Sequence, residues 1–191
     1  NDLKFYEQSN GVNIFDSTKS NHFIYSEKIN AAYINYTTVI KKLNIQLGLR
    51  GEQTRTQGTQ IINGNRFTNK YMQLFPNIAI DHEFSKVYSA GITLSRRIDR
   101  PSYEQLNPFK FFLDPTTYKE GNPFLLPQLS YNIEFSQTFN QRITATLSYS
   151  NTQRLITEVL VPAEFASNIT IQTNVNLLRY DYYGASISAP L

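Results

Sequence analysis

Long stretches of alternating apolar and polar residues constrain this chain more strongly than any other feature. From position 43 to position 49, Leu or Ile occupies every second position, and Asn, Gln and Gly lie between them. Successive side chains of a β-strand point to opposite faces, so the pattern predicts a strand with one apolar and one polar face. The alternation covers residues 42–52 and recurs in 87–97, 128–139, 142–150 and 169–177.

Three further stretches are also predicted to be strands. They are residues 23–36, 72–81 and 182–189, which bring the total to about eight. The faces of residues 23–36 stay unassigned, because the apolar phase there is mixed. Many of these strands run about 9–14 residues, against a usual length of about 5–6 in soluble proteins. A strand that crosses a bilayer at a tilt of about 45° needs roughly 9–11 residues, so the lengths favour a membrane protein.

The links between the predicted strands alternate between short and long. Short links lie near residues 37–41, 84–86, 140–141 and 179–181, and long polar links lie near 54–70, 98–127 and 157–168. Short periplasmic turns and longer extracellular loops follow one another in this order in outer-membrane barrels. We therefore expect an all-β fold, the wall of an antiparallel up-and-down transmembrane β-barrel, whose long links are extracellular loops.

The composition excludes several other classes of protein. The net charge is only +3 and no Lys/Arg run occurs, so no nucleic-acid partner is expected. Cys is absent and the two His residues lie far apart, so no metal site is expected. The strand carboxylates Glu27, Glu52 and Glu134 have no catalytic partner at an interpretable spacing. We therefore expect neither a cofactor nor an enzyme. No run of about 18 apolar residues predicts a membrane-spanning helix.

Two alternatives to the membrane wall stay open at this point. A soluble all-β ligand- or carbohydrate-binding module would bury the face formed by Leu43, Ile45, Leu47 and Leu49, whereas a membrane wall would expose it to lipid. A complete small structural or adhesive barrel would pair its first strand with its last. Alternation alone does not say which face of the sheet is the inner one.

A succession of short motifs resembles one known family. Residues 95–109 read Ser-Arg-Arg-Ile-Asp-Arg-Pro-Ser-Tyr-Glu-Gln-Leu-Asn-Pro-Phe, and Gly-Asn-Pro at 121–123 and Leu-Pro-Gln at 126–128 follow. They resemble the outer-membrane β-barrel family of TonB-dependent-receptor-like proteins of the Bacteroidota type, although Gln128 stands where Glu is usual. Leu-Arg-Gly-Glu at 49–52 and Leu-Phe-Pro-Asn at 74–77 also resemble that family, in the expected order. The motif residues assigned a structural role are Arg100, Pro101, Asn107, Pro108, Gly121, Asn122, Pro123 and Pro127.

The resemblance implies more than the strands themselves predict. Barrels of that family have 22 strands and a plug, so residues 1–191 would be a partial barrel domain without the plug. It implies nutrient uptake in the bacterial outer membrane, energised through a plug and TonB outside this chain. Outer-membrane lipid, lipopolysaccharide and a surface lipoprotein would be further partners.

The candidate ligand contacts lie at the end of one predicted strand and in the link that follows. We expect Arg96, Arg97, Asp99 and Arg100 either to form a local ion-pair cluster or contact lipopolysaccharide, or to line an entry path for an acidic or chelated ligand. The aromatic group around Phe111 is expected to pack down over the barrel mouth or onto neighbouring loops, because its exposure to water would be costly. The candidate ligand-binding residues are Arg97, Asp99, Arg100, Tyr103, Phe111 and Phe112.

Overall fold

The computed structural model describes residues 2–62, 64–163 and 166–190 of the chain. In chain order the elements are β1 (Asp2–Ser9), β2 (Val12–Ile40), β3 (Leu43–Gln60), β4 (Arg66–Ser85), β5 (Tyr88–Asp99), α1 (Tyr103–Leu106), β6 (Lys110–Asp114), β7 (Thr117–Glu120), β8 (Gln128–Phe139), β9 (Ile143–Ala163) and β10 (Ala166–Ser188). The described residues contain no helix that is both long enough and apolar enough to span a membrane. The prediction of an all-β fold is confirmed.

All ten strands belong to one sheet in the order β1-β2-β3-β4-β5-β8-β9-β10-β7-β6. Neighbours are antiparallel, except that β7 lies parallel to Thr170–Gln172 of β10. The first part of β2 pairs with β1, and the part from Phe23 to Ile40 pairs with β3. Seven long strands therefore form the wall, and β1, β6 and β7 are short additions at its two ends.

Short turns lie together at one end of the wall. They join β2 to β3 at Lys41–Lys42, β4 to β5 at Lys86–Val87, and β8 to β9 across residues 140–142. Lys41, Asn140 and Gln141 take positive φ angles of 57°, 49° and 57°, the left-handed conformation that tight hairpin turns need. The segment between β5 and β8 is a long link and lies at the opposite end.

The two faces of the wall differ in polarity and in shape. On β3 the side chains of Glu52 and Thr54 point to one face and are 5% and 0% exposed. Leu47 and Leu49 point to the other face, and each is 42% exposed. The polar face is the concave one, because residues of that face on four successive strands surround a single concavity. The sequence left this assignment open.

The exposed apolar face does not fit a soluble module. Only six hydrophobic side chains are buried among the described residues, and three of them, Leu106, Tyr118 and Leu125, belong to the segment between β5 and β8 itself. The large apolar side chains of the convex face stay exposed, as a lipid-facing wall requires. The alternative of a complete small barrel is also not supported, because the described sheet is open and has β1 and β6 at its edges.

Several predicted links are strand in the structure. Of residues 54–70, β3 takes those up to Gln60 and β4 those from Arg66. Of residues 157–168, β9 runs to Ala163 and β10 begins at Ala166, and positions 164 and 165 lie outside the described residues. The predicted link at 179–181 is wrong, because β10 continues through it. Its polar side chains sustain the strand, since Asp181 accepts hydrogen bonds from Tyr149 and Asn151 of β9.

Candidate functional site

The segment from Arg100 to Pro127, called here the β5–β8 loop, has a compact local structure. Pro101 precedes a capping box in which the Ser102 hydroxyl accepts from the Gln105 N–H at 3.3 Å and the Gln105 side chain accepts from the Ser102 N–H at 2.9 Å. The box starts the single turn of α1. The β6–β7 hairpin follows, and its turn is closed by Asp114, whose carboxylate accepts from the Thr116 N–H at 2.7 Å. Hydrogen bonds from Thr116 and Thr117 lower the pKa of Asp114.

Two motifs that are separate in the sequence meet at the end of α1. The Gly121 N–H donates to the Asn107 carbonyl at 3.0 Å, and the Asn122 N–H donates to the Gln105 carbonyl at 2.7 Å. A Cβ atom at Gly121 would lie about 2.4 Å from the Asn107 carbonyl oxygen, so only glycine allows this approach. The Leu-Asn-Pro and Gly-Asn-Pro motifs therefore form one folded unit.

Arg100 ties the start of the β5–β8 loop to the concave face of the wall. Its guanidinium donates to Glu52 Oε2 at 2.5 Å and to Thr54 Oγ1 at 3.3 Å, and its Nε lies 3.5 Å from Glu27 Oε1. Arg50 contacts the other oxygen of Glu52 at 2.7 Å. The cluster agrees with the interpretation of Arg100 as part of a local ion-pair group. The guanidinium is turned toward β2 and β3.

A second contact joins α1 to β2. The Tyr103 hydroxyl donates to the Phe23 carbonyl at 3.1 Å, and the two rings lie 5.6 Å apart. Burial raises the pKa of Tyr103, which keeps the hydroxyl protonated as a donor. Close by, the Asn21 side chain donates to Asn107 at 3.4 Å and accepts from Gln60 at 2.8 Å. Tyr103 and Asn107 thus attach the β5–β8 loop to the β2 and β3 side of the wall.

The far end of the β5–β8 loop is fixed to β10. Asn176 accepts from the Leu126 N–H at 2.8 Å and donates to the Leu126 carbonyl at 2.9 Å. Asn122 donates to the Asn174 carbonyl at 3.1 Å, and Leu125 is buried. The loop therefore reaches across the concave face from β2 and β3 to β10.

An open concavity of about 860 Å³ lies on the concave face beside this loop. Arg50, Arg96, Arg97 and Asp99 supply its charged groups, and Tyr33 and Phe75 supply aromatic surface. Arg97 and Asp99 are exposed, and Asp99 accepts from the Gln128 side chain at 2.9 Å. Among the described residues Arg97 takes part in no ion pair, and the guanidinium of Arg50 is 50% exposed beside its partner Glu52. Guanidinium groups in this position suit an anionic ligand, since Arg binds carboxylate or phosphate bidentately.

The six residues predicted as ligand contacts fall in three different places. Arg97 and Asp99 line the concavity, whereas Arg100 and Tyr103 anchor the loop. Phe111 and Phe112 lie on the edge strand β6 and are 60% and 56% exposed, so the expectation that they pack over the mouth is wrong. Only Phe112 has a recorded ring contact, with Tyr118 at 5.7 Å.

Sequence reasoning missed several residues of the site. Tyr33, Arg50 and Phe75 were not predicted as ligand contacts, although Arg50 and Phe75 belong to family-like motifs and Arg50 lies on the polar face of a clear alternation. Asn174 and Asn176 carried no signal, because nothing in a sequence shows which strand a distant loop contacts. Alternation predicts Arg96 on the convex face of β5, but its guanidinium lines the concavity, donates to the Leu74 carbonyl and to Gln73, both at 2.6 Å, and lies 5.7 Å from the Phe75 ring. These contacts lie where the β4–β5 ladder ends. Asn77 is the last residue of β4 paired with β5 there, and the next residue, Pro76, has no N–H to donate to a ladder.

A family model decides what kind of wall this is, because it matches residues 1–191 and is described as an outer membrane protein beta-barrel family. The chain belongs to the outer membrane protein β-barrel family. Its location is accordingly the bacterial outer membrane, as predicted. No curated protein matches the chain.

Solved structures similar to this family member are TonB-dependent receptor barrels. They include the siderophore receptor PirA from Pseudomonas aeruginosa, with a TM-score of 0.58 and 11% identity over 87% of this chain and 40% of that one. The Serratia marcescens hemophore receptor HasR, solved with HasA and heme, has a TM-score of 0.63 and 16% identity over 90% and 32%. The copper transporter OprC has a TM-score of 0.61 and 10% identity over 96% and 29%.

These likenesses establish the fold of the outer membrane β-barrel chain, and the resemblance to TonB-dependent-receptor-like barrels is confirmed. The chain spans only 29–40% of the length of these three proteins. Its sheet thus corresponds to part of a larger barrel wall in each of them. Its open edges are consistent with that correspondence.

Proposed function

We propose that the chain forms part of the wall of an outer-membrane receptor that takes up a nutrient in a TonB-dependent manner. The concave polar face lines the lumen, and the β5–β8 loop selects the ligand at the extracellular mouth. The hairpins within 54–70 and 157–168 lie on the same extracellular side. One observation carries the proposal: the loop is tied to both β3 and β10, and Arg97 and Asp99 stay exposed beside it.

The charges of the concavity favour an anionic ligand, such as a metal held by an acidic chelator. Arg50 and Arg97 line it together with the single carboxylate of Asp99, and Tyr33 offers an exposed aromatic ring. Charge-assisted hydrogen bonds from guanidinium groups are roughly twice as strong as neutral ones. The siderophore and heme named for PirA and HasR support this choice of ligand class.

The partners of the receptor follow from its position. A plug inside the barrel and TonB would supply the energy for uptake, and a surface lipoprotein would cover the mouth. Phosphorylated lipid of the outer leaflet, including lipopolysaccharide, would surround the convex face. No catalytic step and no resident cofactor are part of the proposal.

The test compares ligand binding by two variants of the protein extracted from its outer membrane. The variant Arg50→Gln/Arg97→Gln removes two of the three guanidinium groups of the concavity, and the control Lys86→Gln/Arg142→Gln removes the same charge at the short-turn end. Ferric enterobactin serves as an anionic probe and maltohexaose as a neutral probe. We expect the first variant to bind ferric enterobactin at least about tenfold more weakly, because hydrogen bonds to charged groups contribute about 1.5–3 kcal/mol each. The control should bind like the wild type. Binding of maltohexaose in preference to ferric enterobactin, or equal binding by both variants, would refute the proposed ligand class.

A further inference from the structure

The convex face of β2, β3 and β4 carries charge of only one sign. Every second residue points outward along Phe23–Ile40, Leu43–Gln60 and Arg66–Ser85. Glu27, Thr54 and Tyr71 face inward, and they therefore define which residues of each strand point outward. Outward positions of these ranges include four cations and no carboxylate. All four carboxylates of the same ranges face inward. The cations are Lys28, Arg55, Arg66 and Lys70, and the carboxylates are Glu27, Glu52, Asp81 and Glu83.

Three of the four cations stand side by side. Lys28 pairs with Arg55 across the β2–β3 ladder, and Arg55 pairs with Lys70 across the β3–β4 ladder. These three residues are called here the basic row. Neighbouring strands lie about 4.8 Å apart, so the row presents three cations within about 10 Å. All three side chains are exposed.

The basic row has no anionic partner in the part of the chain that the structure describes. None of the ion pairs recorded there includes Lys28, Arg55 or Lys70. Like charges directly opposite each other on adjacent strands are destabilising. An arrangement of this kind is stabilised when an external anion lies against it.

The height of the row on the wall identifies the source of that anion. Met72 is the next outward residue after Lys70 on β4, on the side of the short-turn end, and it is 72% exposed. Two residues of strand correspond to about 7 Å, and the residues level with Met72 on β3 and β2 are Gln53 and Asn30. One level of mostly polar residues therefore separates the row from the apolar surface. The row also lies on the side of the β5–β8 loop, away from the turns at Lys41–Lys42 and Lys86–Val87. In an outer membrane this level is that of the outer-leaflet headgroups.

We propose that the basic row binds the phosphate groups of an outer-leaflet glycolipid. The inference rests on the proposed function, which puts the β5–β8 loop on the extracellular side. Arg55, at the centre, offers a planar fork that engages phosphate bidentately, and Lys28 and Lys70 flank it as point charges. The lipid is a structural partner of the wall, and the nutrient occupies the separate concavity on the opposite face.

The test measures how much glycolipid stays with the protein extracted from its native outer membrane. The row variant is Lys28→Gln/Arg55→Gln/Lys70→Gln. The matched control, Lys42→Gln/Lys86→Gln/Arg142→Gln, removes the same charge from exposed residues at the short-turn end, where the leaflet lacks this lipid. Native mass spectrometry counts the retained glycolipid. Each basic residue near an anionic surface strengthens binding by up to about tenfold. We therefore expect glycolipid retention by the row variant to fall about tenfold or more, and glycolipid retention by the control to stay unchanged.

A second measurement identifies the chemical group that is recognised. Lipid-stripped protein is mixed with phosphatidylcholine vesicles containing either lipid A or lipid A without its phosphates. We expect binding only to the first kind, and intermediate binding by Arg55→Lys, which keeps the charge without the fork. Equal binding to both vesicles, or displacement of lipid A by inorganic phosphate at millimolar concentration, would overturn the proposal.

Two controls keep the outcome unambiguous. The heat-dependent shift in gel mobility reports whether each variant forms a barrel, and Arg55→Gln alone replaces the row variant if the triple substitution does not insert. Ferric enterobactin binding should be the same in the row variant and the wild type. A row variant that loses glycolipid but still binds ferric enterobactin then reports on the basic row alone. The Arg50→Gln/Arg97→Gln variant tests the proposed function alone.

Discussion

Asn176 binds the backbone of Leu126 through both polar atoms of its side-chain amide. Its oxygen accepts from the Leu126 N–H at 2.8 Å, and its nitrogen donates to the Leu126 carbonyl at 2.9 Å. It also donates to the Arg154 carbonyl at 2.9 Å. One side chain of β10 thus satisfies two backbone groups at the end of the β5–β8 loop and one of β9. The attachment depends on an amide, because a single group must both donate and accept.

Asn176→Asp should release this end of the loop. The substitution keeps an acceptor for the Leu126 N–H but places a carboxylate oxygen against two carbonyl oxygens, which removes two hydrogen bonds worth about 0.5–1.5 kcal/mol each and adds repulsion. Hydrogen–deuterium exchange of residues 121–127 should become faster, with little change in β3. Asn132→Asp, the same chemical change on the concave face of β8, should leave that exchange as in the wild type. Unchanged protection in Asn176→Asp would contradict the anchor.

The ion pair at the other end of the loop should contribute more. In Arg100→Met the buried Glu52 loses one cationic partner and keeps Arg50, so we expect the free energy of unfolding to fall by about 3 kcal/mol, the lower end for a broken buried pair. Denaturant unfolding of the protein in lipid vesicles measures the loss. In the double variant Arg100→Met/Glu52→Gln the loss should be smaller than the sum of the single losses. Additive losses would show that the two side chains are not coupled.

The convex face should reject charge and the concave face should accept it. Leu47→Arg places a cation on the exposed apolar face and should destabilise the inserted wall by about 2–4 kcal/mol, the cost of Arg near the bilayer midplane. Gln46→Arg, one residue away, points to the polar face and should cost much less. Refolding into vesicles at graded denaturant concentrations compares the two variants. Equal costs would show that the faces have been assigned the wrong way round.

The β6–β7 hairpin should be more stable at acid pH. Burial raises the pKa of Glu120, and the opposing charge of Lys110 lowers it only in part. Because the folded state holds the proton more tightly than the unfolded state, the stabilisation is full below the unfolded pKa and is lost as pH rises through the folded pKa. Amide exchange in residues 110–120, corrected for the intrinsic effect of pH, should therefore show less protection at neutral pH. Glu120→Gln should remove the dependence, and a variant that keeps it would assign it to another group.

The strands of the wall could be predicted where lipid imposes a pattern. Around Leu47 one face meets lipid and the other meets water, so apolar and polar residues alternate and the strand is visible in the sequence. Beyond Gly51 both faces of β3 are polar, as Gln53 and Arg55 show. The alternation then disappears while the hydrogen-bonded ladder continues to Gln60. The predicted link at 54–70 was too long for this reason.

The candidate site was predictable only in part, for a related reason. The motif around Arg97 and Asp99 marks a strand end, and alternation places both residues on the polar face. The residues that this segment contacts lie far away in the sequence. Arg100 contacts β3, and Leu126 contacts β10. The direction of Phe111 and Phe112 was mispredicted, since an edge strand exposes both of its faces where no neighbour covers them.

The β5–β8 loop works as a brace between two distant strands of an open sheet. The Arg100–Glu52 ion pair and the Asn176–Leu126 hydrogen bonds fix its two ends, and the close approach at Gly121 makes it rigid in between. The span of the brace sets the spacing between β3 and β10, and therefore the curvature of the wall at that level. A change in the width of the mouth requires either a change in the shape of this loop or the release of one of its ends.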